Sequence, residues 1–192
     1  MLLIMGMAVF SAGSICAENP QSTVKTSLSS GNGQGTWIVA LSALSAYLKA
    51  TTNCQATNSK VVATSKSIVK NANATTSYTK AVAIFNWVRD KIGYSSYSNT
   101  RYGALRMLSV KKGNCVDTTH LLIALERASG IPARYVHGKC RFSSGTSGHV
   151  WAEVYVNGKW YKADAVSSRN SFGTMNNCKI LSIYSKSAAL KF

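Results

Sequence analysis

A cysteine, a histidine and an aspartate occur in this chain in an order that suits nucleophilic catalysis. Cys115 comes just before an apolar run with helical spacing, and His149 and Asp164 lie in two successive strand-like runs. A thiol becomes a strong nucleophile when a neighbouring imidazole takes its proton, and the imidazole needs a carboxylate to orient it. We therefore take Cys115, His149 and Asp164 as a candidate catalytic set.

The relative placement of His149 and Asp164 follows from a predicted β-hairpin. Residues 149–156 are rich in β-branched and aromatic side chains, and Asn157-Gly158 after them is the strongest short signal for a two-residue hairpin loop. Counting back from the loop pairs Val156 with Lys159, Tyr155 with Trp160, Glu153 with Lys162 and Trp151 with Asp164. His149 is then the diagonal neighbour of Asp164 on one sheet face, at about 7–8 Å between backbones. The pattern predicts a hydrogen bond between the two side chains.

Cys115 is predicted to lie in the first turn of a helix. Leucines and Ala128 recur at helical spacing within residues 116–129, and Gly130 before Ile131-Pro132 ends the pattern. Asn114 is a good N-cap residue. The helix dipole and the free backbone N–H groups favour a thiolate there, and the same N–H groups could contribute to an oxyanion hole.

Two further residues are candidates for contacts with the substrate or the oxyanion. Asn99 belongs to the polar, aromatic segment 94–101 shortly before the helix of Cys115. Trp151 lies two residues beyond His149 on the same strand face, where it could shield the histidine from water, form the floor of a substrate groove, or simply pack in the core.

Three other polar residues near the candidate set are interpreted as structural. Asp117 is an acidic residue in the first helical turn, where the helix dipole stabilises it. His120 lies about one turn beyond Cys115, and His137 lies on the strand before Gly138. We expect neither histidine to take part in catalysis.

Several longer stretches carry a resemblance to a known family. In the transglutaminase-like cysteine-peptidase superfamily, the same Cys…His…Asp order occurs in Gly-x-Cys and Gly-His-Val-Trp contexts, and this chain resembles it over about residues 77–175. Within that superfamily it is most similar to the pseudomurein endoisopeptidases of methanogenic archaea and their viruses. The stretches that carry the resemblance are 85–90, 94–100, 103–105, 113–138, 137–140, 148–156, 160–165 and 167–173. The similarity to the pseudomurein group rests on 137–140 and 168–173.

This resemblance implies an activity and a role for each member of the candidate set. The reaction would be hydrolysis of an isopeptide bond of the Ala–ε-Lys type in the cross-linking peptides of pseudomurein. By matched position, Cys115 would be the nucleophile, His149 the general base and then general acid, and Asp164 the residue that orients His149. The acyl-enzyme would be resolved by water.

The expected fold is α+β, with a transglutaminase-like or papain-like core. N-terminal helices and the nucleophile helix would pack on an antiparallel sheet. The sheet is expected to contain about residues 131–138, 148–156 and 159–166. Helices are predicted over 37–49, 61–70 and 77–92.

The chain is strongly basic, with a formal net charge of +16 from 22 Lys and Arg against six Asp and Glu. The cations are spread along the chain without a basic helix, a Gly-rich phosphate loop or a recognition motif, so nucleic acid is not the expected partner. An anionic cell-wall peptide polymer would attract such a protein by long-range steering. Solubility in a salty environment is the alternative explanation. We expect a monomer.

The N-terminal segment is typical of an exported protein. Residues 1–17 are uncharged and apolar and end in Ser-Ile-Cys-Ala, which predicts a secretory leader cleaved after Ala17, although a basic n-region is missing. Residues 18–36 are predicted to be a linker, and residues 37–192 a catalytic domain in which 37–75 form a helical extension of open role. We expect a secreted or cell-surface protein whose leader engages the membrane transiently. A leader favours a cell-encoded enzyme over a viral one.

Four cysteines lie beyond the predicted leader: Cys54, Cys115, Cys140 and Cys178. If Cys115 is free, the other three cysteines cannot all pair with one another. They could form one disulfide and leave one free thiol, or all of them could be reduced. No Cys-x-x-Cys or Cys/His spacing indicates zinc. The chemistry requires no cofactor, and a need for a divalent cation is left open.

Other classes of function remain as alternatives. A transglutaminase would use the same three residues to pass the acyl group to an amine instead of water. A non-catalytic wall-binding module would keep binding without Cys115, and a nucleic-acid-binding protein would show a steep salt dependence of affinity.

Overall fold

The structure, a computed structural model, describes residues 43–192. Within residues 43–192, four α-helices and six β-strands follow a 3₁₀ turn at Ala46–Leu48. The helices are α1 (Ser59–Asn71), α2 (Ser77–Lys91), α3 (Gly103–Val110) and α4 (Cys115–Ala128). The strands are β1 (Gly93–Tyr94), β2 (Lys112–Gly113), β3 (Ala133–Phe142), β4 (Gly145–Val156), β5 (Lys159–Ala163) and β6 (Lys179–Ser187).

Helix α4 lies at the centre of the molecule. Every residue from Val116 to Arg127 is buried, because α1, α2 and α3 contact one part of its surface and the sheet contacts the rest. Its N-terminus is capped by Asn114, whose side-chain oxygen accepts the backbone N–H of Asp117 at 2.9 Å. The helix therefore begins at the residue where the sequence placed the nucleophile.

The main sheet is antiparallel and has the strand order β5-β4-β3-β6. The β4–β5 hairpin has the predicted register from Val156–Lys159 back through Glu153–Lys162. Asn157 and Gly158 both have positive φ, at 50° and 81°, as a two-residue type I′ loop requires. Strands β1 and β2 form a separate, parallel two-stranded pair.

The α+β class with a transglutaminase-like core is confirmed, and three predicted helices are present as α1, α2 and α4. The helix predicted over 37–49 is seen only in part: residues 43–45 are helical and lead into the 3₁₀ turn, and its earlier residues lie outside the described part of the chain. The predicted leader and linker lie outside it as well. Helix α1 buries Val61 and Ile68 and packs on α4, so this part of the segment 37–75 belongs to the core.

The sheet differs from the prediction in three respects. Strand β5 ends at Ala163 rather than residue 166, since the chain turns away at residues 165–166, so Asp164 lies just past the strand and not in a ladder pair with Trp151. The β3–β4 hairpin extends through polar, serine-rich sequence to Phe142 and Gly145. Strand β6 was missed because it is a mostly exposed edge strand without apolar alternation.

Candidate active site

Cys115 is the first residue of α4 and is partly exposed. A Cβ atom on Gly113, two residues earlier, would approach Met107 Cε at 2.6 Å and Tyr97 Oη at 3.1 Å. The absence of a side chain at Gly113 therefore lets α3 and the preceding loop pack closely around the start of α4. The thiol therefore lies beside the backbone N–H groups of the first helical turn, which have no partner within the helix.

His149 and Asp164 form the predicted hydrogen bond, at 2.9 Å between Nε2 and Oδ2, and both side chains are buried. Cys115 is the other polar neighbour of the imidazole, and Nδ1 is the ring nitrogen that does not bond Asp164. Burial lowers the pKa of His149, but the hydrogen bonds and charges of Asp164 and Cys115 outweigh it and raise the pKa from 6.5 to about 10. An imidazolium at neutral pH stabilises a thiolate beside it.

Two asparagines that the sequence reasoning missed hold the carboxylate of Asp164. Asn170 Nδ2 and Asn177 Nδ2 donate to Oδ2 at 3.1 and 3.0 Å, and the N–H of Val166 donates to Oδ1 at 3.3 Å. Both asparagines are buried, and the side-chain oxygen of Asn170 accepts the backbone N–H of Asn177 at 3.0 Å. Asn170 lies in the stretch 167–173 that carries the family resemblance, but the sequence does not distinguish it or Asn177 from ordinary loop residues.

Aromatic rings enclose His149 on two sides. Trp151 stacks on the imidazole with 5.9 Å between ring centroids and 25° between the planes, and Phe142 meets it edge-on at 5.2 Å. Trp151 is only 1% exposed, so its contact is with the histidine and the core rather than with an open groove. The indole of Trp151 packs over Gly138, where a side chain would crowd it: a Cβ atom there would lie 3.0 Å from Trp151 Cη2.

Two cavities meet at Cys115, Gly148 and His149. One, of about 350 Å³, is further lined by residues that include Tyr94, Phe142 and Arg169. The other, of about 300 Å³, is further lined by residues that include Tyr97, Asn99, His137 and Phe192. A larger cavity of about 820 Å³ lies between α1 and α3 and contains none of the candidate catalytic residues.

Asp117 was expected only to interact with the helix dipole, but its side chain also binds the segment 97–103. Its buried carboxylate accepts the backbone N–H groups of Arg101, Tyr102 and Gly103 at 2.7–3.2 Å and the hydroxyl of Tyr97 at 2.7 Å. The N-terminal turn of α4 thereby fixes the segment 97–103, which forms one wall of the cavity at Cys115.

Asn99 lies in this fixed segment and lines the cavity at Cys115, and a hydrogen bond of its backbone carbonyl holds it there. The residue has a φ of 59°, in the left-handed region, and its carbonyl accepts Asn114 Nδ2 at 2.8 Å. A contact of the Asn99 side chain with an oxyanion stays a prediction.

The other two histidines have different surroundings. His120 is fully buried, with Tyr135 Oη at 2.7 Å from Nδ1 and Thr100 Oγ1 at 2.8 Å from Nε2. Burial lowers its pKa to about 4 despite the charge of Asp117, so the ring is neutral at physiological pH. His137 packs edge-on against Tyr184 at 5.1 Å and lines the cavity at Cys115.

Within residues 43–192, no group of three or more His, Cys, Asp or Glu side chains is placed to hold a metal ion. The same part of the chain contains no helix with the length and apolar character that a membrane crossing needs.

Comparison with known proteins shows the family of the chain. The family model described as the transglutaminase-like superfamily matches residues 62–165, which include Cys115, His149 and Asp164. The chain belongs to the transglutaminase-like superfamily. An uncharacterized protein of Mycobacterium leprae, ML0607, is 30% identical over 113 residues, which are 54% of this chain and 39% of that protein.

One solved structure supports the same fold. The structure of a candidate cysteine protease from Cytophaga hutchinsonii has a TM-score of 0.56 and 27% identity, over 71% of this chain and 45% of that one. The periplasmic domain of TgpA from Pseudomonas aeruginosa has a TM-score of 0.47 and 18% identity, over 62% and 46% of the two chains. The chain thus spans less than half the length of each of these relatives.

Proposed function

We propose that this protein is an exported cysteine endoisopeptidase that cleaves cross-links of the Ala–ε-Lys type in archaeal pseudomurein. The observation that carries the proposal is the arrangement of Cys115, His149 and Asp164, with His149 between the thiol and the carboxylate. The resemblance to a candidate cysteine protease at 27% identity supports hydrolysis as the reaction. The sequence resemblance of the segments 137–140 and 168–173 supports the pseudomurein substrate.

The chemical steps follow from the positions of these side chains. Cys115 Sγ attacks the amide carbonyl, and His149 donates its proton to the leaving lysine ε-amine, which leaves a thioester on Cys115. A water molecule then attacks the thioester, and His149, neutral after it has protonated the amine, takes a proton from the water. The carboxylic acid product leaves, and the thiolate and the imidazolium are restored. Asp164 keeps Nε2 of the imidazole engaged throughout, so that Nδ1 stays directed at the reacting atoms.

The shape of the cleft favours a bond inside a longer polymer. Cavities extend from Cys115 in two directions, one towards Tyr94 and Arg169 and one towards Asn99 and His137. A substrate that continues on both sides of the scissile bond can occupy both cavities, whereas a closed pocket would accept only a chain end.

The charge of the surface favours an anionic polymer. Among the acidic residues of the described part of the chain, Asp117, Glu126 and Asp164 are buried. The other two are paired: Asp90 with Arg89, and Glu153 with Arg134 and Lys186. The exposed Arg169 lies at one end of the cleft, where it can meet a carboxylate of the substrate.

The test is the release of lysine ε-amines from isolated pseudomurein by the parent protein, Cys115→Ala and the matched control Cys54→Ala. Cys54 is buried in the core away from the cleft, so this control removes a thiol without touching the candidate site. We expect release by the parent and the control, and none by Cys115→Ala with an unchanged circular dichroism spectrum. Equal release by Cys115→Ala would refute the nucleophile.

A folded parent protein that releases no amine would refute the proposed hydrolysis of this substrate. Incorporation of a labelled amine by the parent, and not by Cys115→Ala, would then assign acyl transfer. Binding to the wall without either reaction would assign a non-catalytic module.

A further inference from the structure

We propose that Cys140 and Cys178 form a disulfide bond under oxidising conditions, and that this bond fastens the segment that holds Asp164. Cys140 is fully buried in β3, and Cys178, one residue before β6, is partly exposed. The proposal does not depend on the catalytic function.

The two cysteines are neighbours on one face of the sheet. Arg141 pairs with Lys179 in the β3–β6 ladder, which makes Cys140 and Cys178 diagonal neighbours. Cys140 belongs to a small buried cluster with Val136 and Trp151, and the partly buried Cys178 packs against that cluster. A disulfide needs Cα atoms within about 7 Å, and the backbone at Cys178 can adjust because it precedes the ladder of β6.

The other two cysteines of the described chain have different neighbours. Cys54 belongs to the main core and lies 3.7 Å from Arg127 Nη1. Cys115 lies beside His149 where the two cavities of the cleft meet. A single disulfide therefore leaves the candidate nucleophile free.

The bond would act on the surroundings of the candidate site. Asn177, which donates to Asp164, directly precedes Cys178, and Trp151, which stacks on His149, packs against Cys140. A bond between Cys178 and Cys140 of β3 would therefore restrain both Asn177, which donates a hydrogen bond to Asp164, and Trp151, which stacks on His149.

A small-molecule disulfide such as oxidised glutathione can supply the oxidation. The more exposed Cys178 attacks one sulfur of that disulfide and releases one glutathione thiol, and Cys140 then attacks the Cys178 sulfur and releases the second. Burial and the neighbouring Cys178 raise the pKa of Cys140 to about 12, which makes Cys140 the slower first attacker. Two protein thiols are oxidised and one glutathione disulfide is reduced.

The test uses the full chain with Cys16→Ser and Cys115→Ala, so that neither the cysteine of the predicted leader nor the candidate nucleophile can capture glutathione. After equilibration with excess oxidised glutathione at about pH 8, free thiols are alkylated under denaturing conditions, and peptides are mapped by mass spectrometry without reduction. We expect a Cys140–Cys178 cross-linked peptide and an alkylated Cys54. The melting temperature should exceed that of the reduced protein by on the order of 5–10 °C.

The matched control is Cys178→Ser in the same background, which should show neither the cross-link nor the rise in melting temperature. Alkylation of both Cys140 and Cys178 after the oxidation step would overturn the proposal. So would a cross-link that joins either residue to Cys54. Cys140→Ser provides a second control if Cys178→Ser fails to fold.

Discussion

Four side chains surround His149: two of them raise the pKa of the imidazole, and two enclose the ring. Asp164 and Cys115 raise its pKa against the effect of burial, while Trp151 and Phe142 enclose the ring. Because the folded-state pKa of about 10 exceeds the usual 6.5, the pairing of His149 stabilises the fold fully below about pH 6.5. This contribution to stability is lost as the pH rises through about 10.

Asp164→Asn is expected to lower kcat by roughly 10³–10⁴-fold, the effect seen when a triad carboxylate becomes an amide. The variant should fold, since the asparagine can accept hydrogen bonds at the same position. Steady-state kinetics on wall peptides measures the change. Wild-type rates would refute the role of Asp164.

Asn177→Ala provides a graded comparison, because it removes one of three side-chain donors to Oδ2 of Asp164. The loss of one hydrogen bond, worth about 1 kcal/mol, should reduce kcat by roughly 5- to 10-fold. A loss as large as that of Asp164→Asn would mean that Asn177 does more than position the carboxylate.

At the scale of elements, the N-terminal turn of α4 organises the wall of the cleft. Asp117→Asn would replace an acceptor-only carboxylate with an amide whose NH₂ group faces backbone donors. We expect a loss of about 3 kcal/mol of unfolding free energy, measured by urea denaturation, together with a lower kcat. Asp90→Asn is the control, since Asp90 is exposed and paired with Arg89, and should cost less than about 1 kcal/mol.

Helix α4 also contains a fully buried carboxyl group, Glu126, whose two oxygens have no hydrogen-bond partner within residues 43–192. Burial raises its pKa well above 4.5, so the folded protein retains a proton that the unfolded chain releases. Stability therefore falls as the pH rises above about 4.5, by up to about 1.4 kcal/mol per pH unit.

Glu126→Gln should remove this slope, and its stability relative to the parent should grow from pH 5 to pH 7. Urea denaturation at several pH values measures the difference. Parallel stability curves for the two proteins would show that Glu126 does not titrate as its burial indicates.

The sequence predicted those elements whose signals are local. Asn157-Gly158 gave the hairpin register, and Asn114 and Gly130 marked the ends of α4. Strand β6 could not be predicted, because its pairing with β3 joins residues that are about 40 or more positions apart. The anchoring of Asp164 by Asn170 and Asn177 could not be predicted either, because it depends on the irregular conformation of the loop that contains them. The same applies to Asp117, whose helix position was evident but whose contacts with the segment 97–103 arise only in the fold.

At the scale of the whole molecule, the net charge of +16 meets almost no opposing charge at the surface, since the acids of residues 43–192 are buried or paired. The range of this field falls from about 30 Å at 0.01 M salt to about 3 Å at 1 M. Association with an anionic polymer should therefore depend strongly on ionic strength.

We expect binding to isolated wall material to weaken at least 10-fold between about 0.02 M and 0.5 M NaCl. Sedimentation with the wall measures binding, and Cys115→Ala should behave like the parent because it keeps the charge. Salt-independent binding would contradict electrostatic attraction to the wall.

The activation of Cys115 by His149 underlies all of the proposed chemistry, and alkylation tests it without any assumed substrate. The rate of iodoacetamide labelling at Cys115 should be measured at pH 6 in the parent and in His149→Ala, with site-specific detection by mass spectrometry. We predict labelling at least 10-fold faster in the parent, since the imidazolium stabilises the thiolate at that pH. Equal rates in the two proteins would contradict the account.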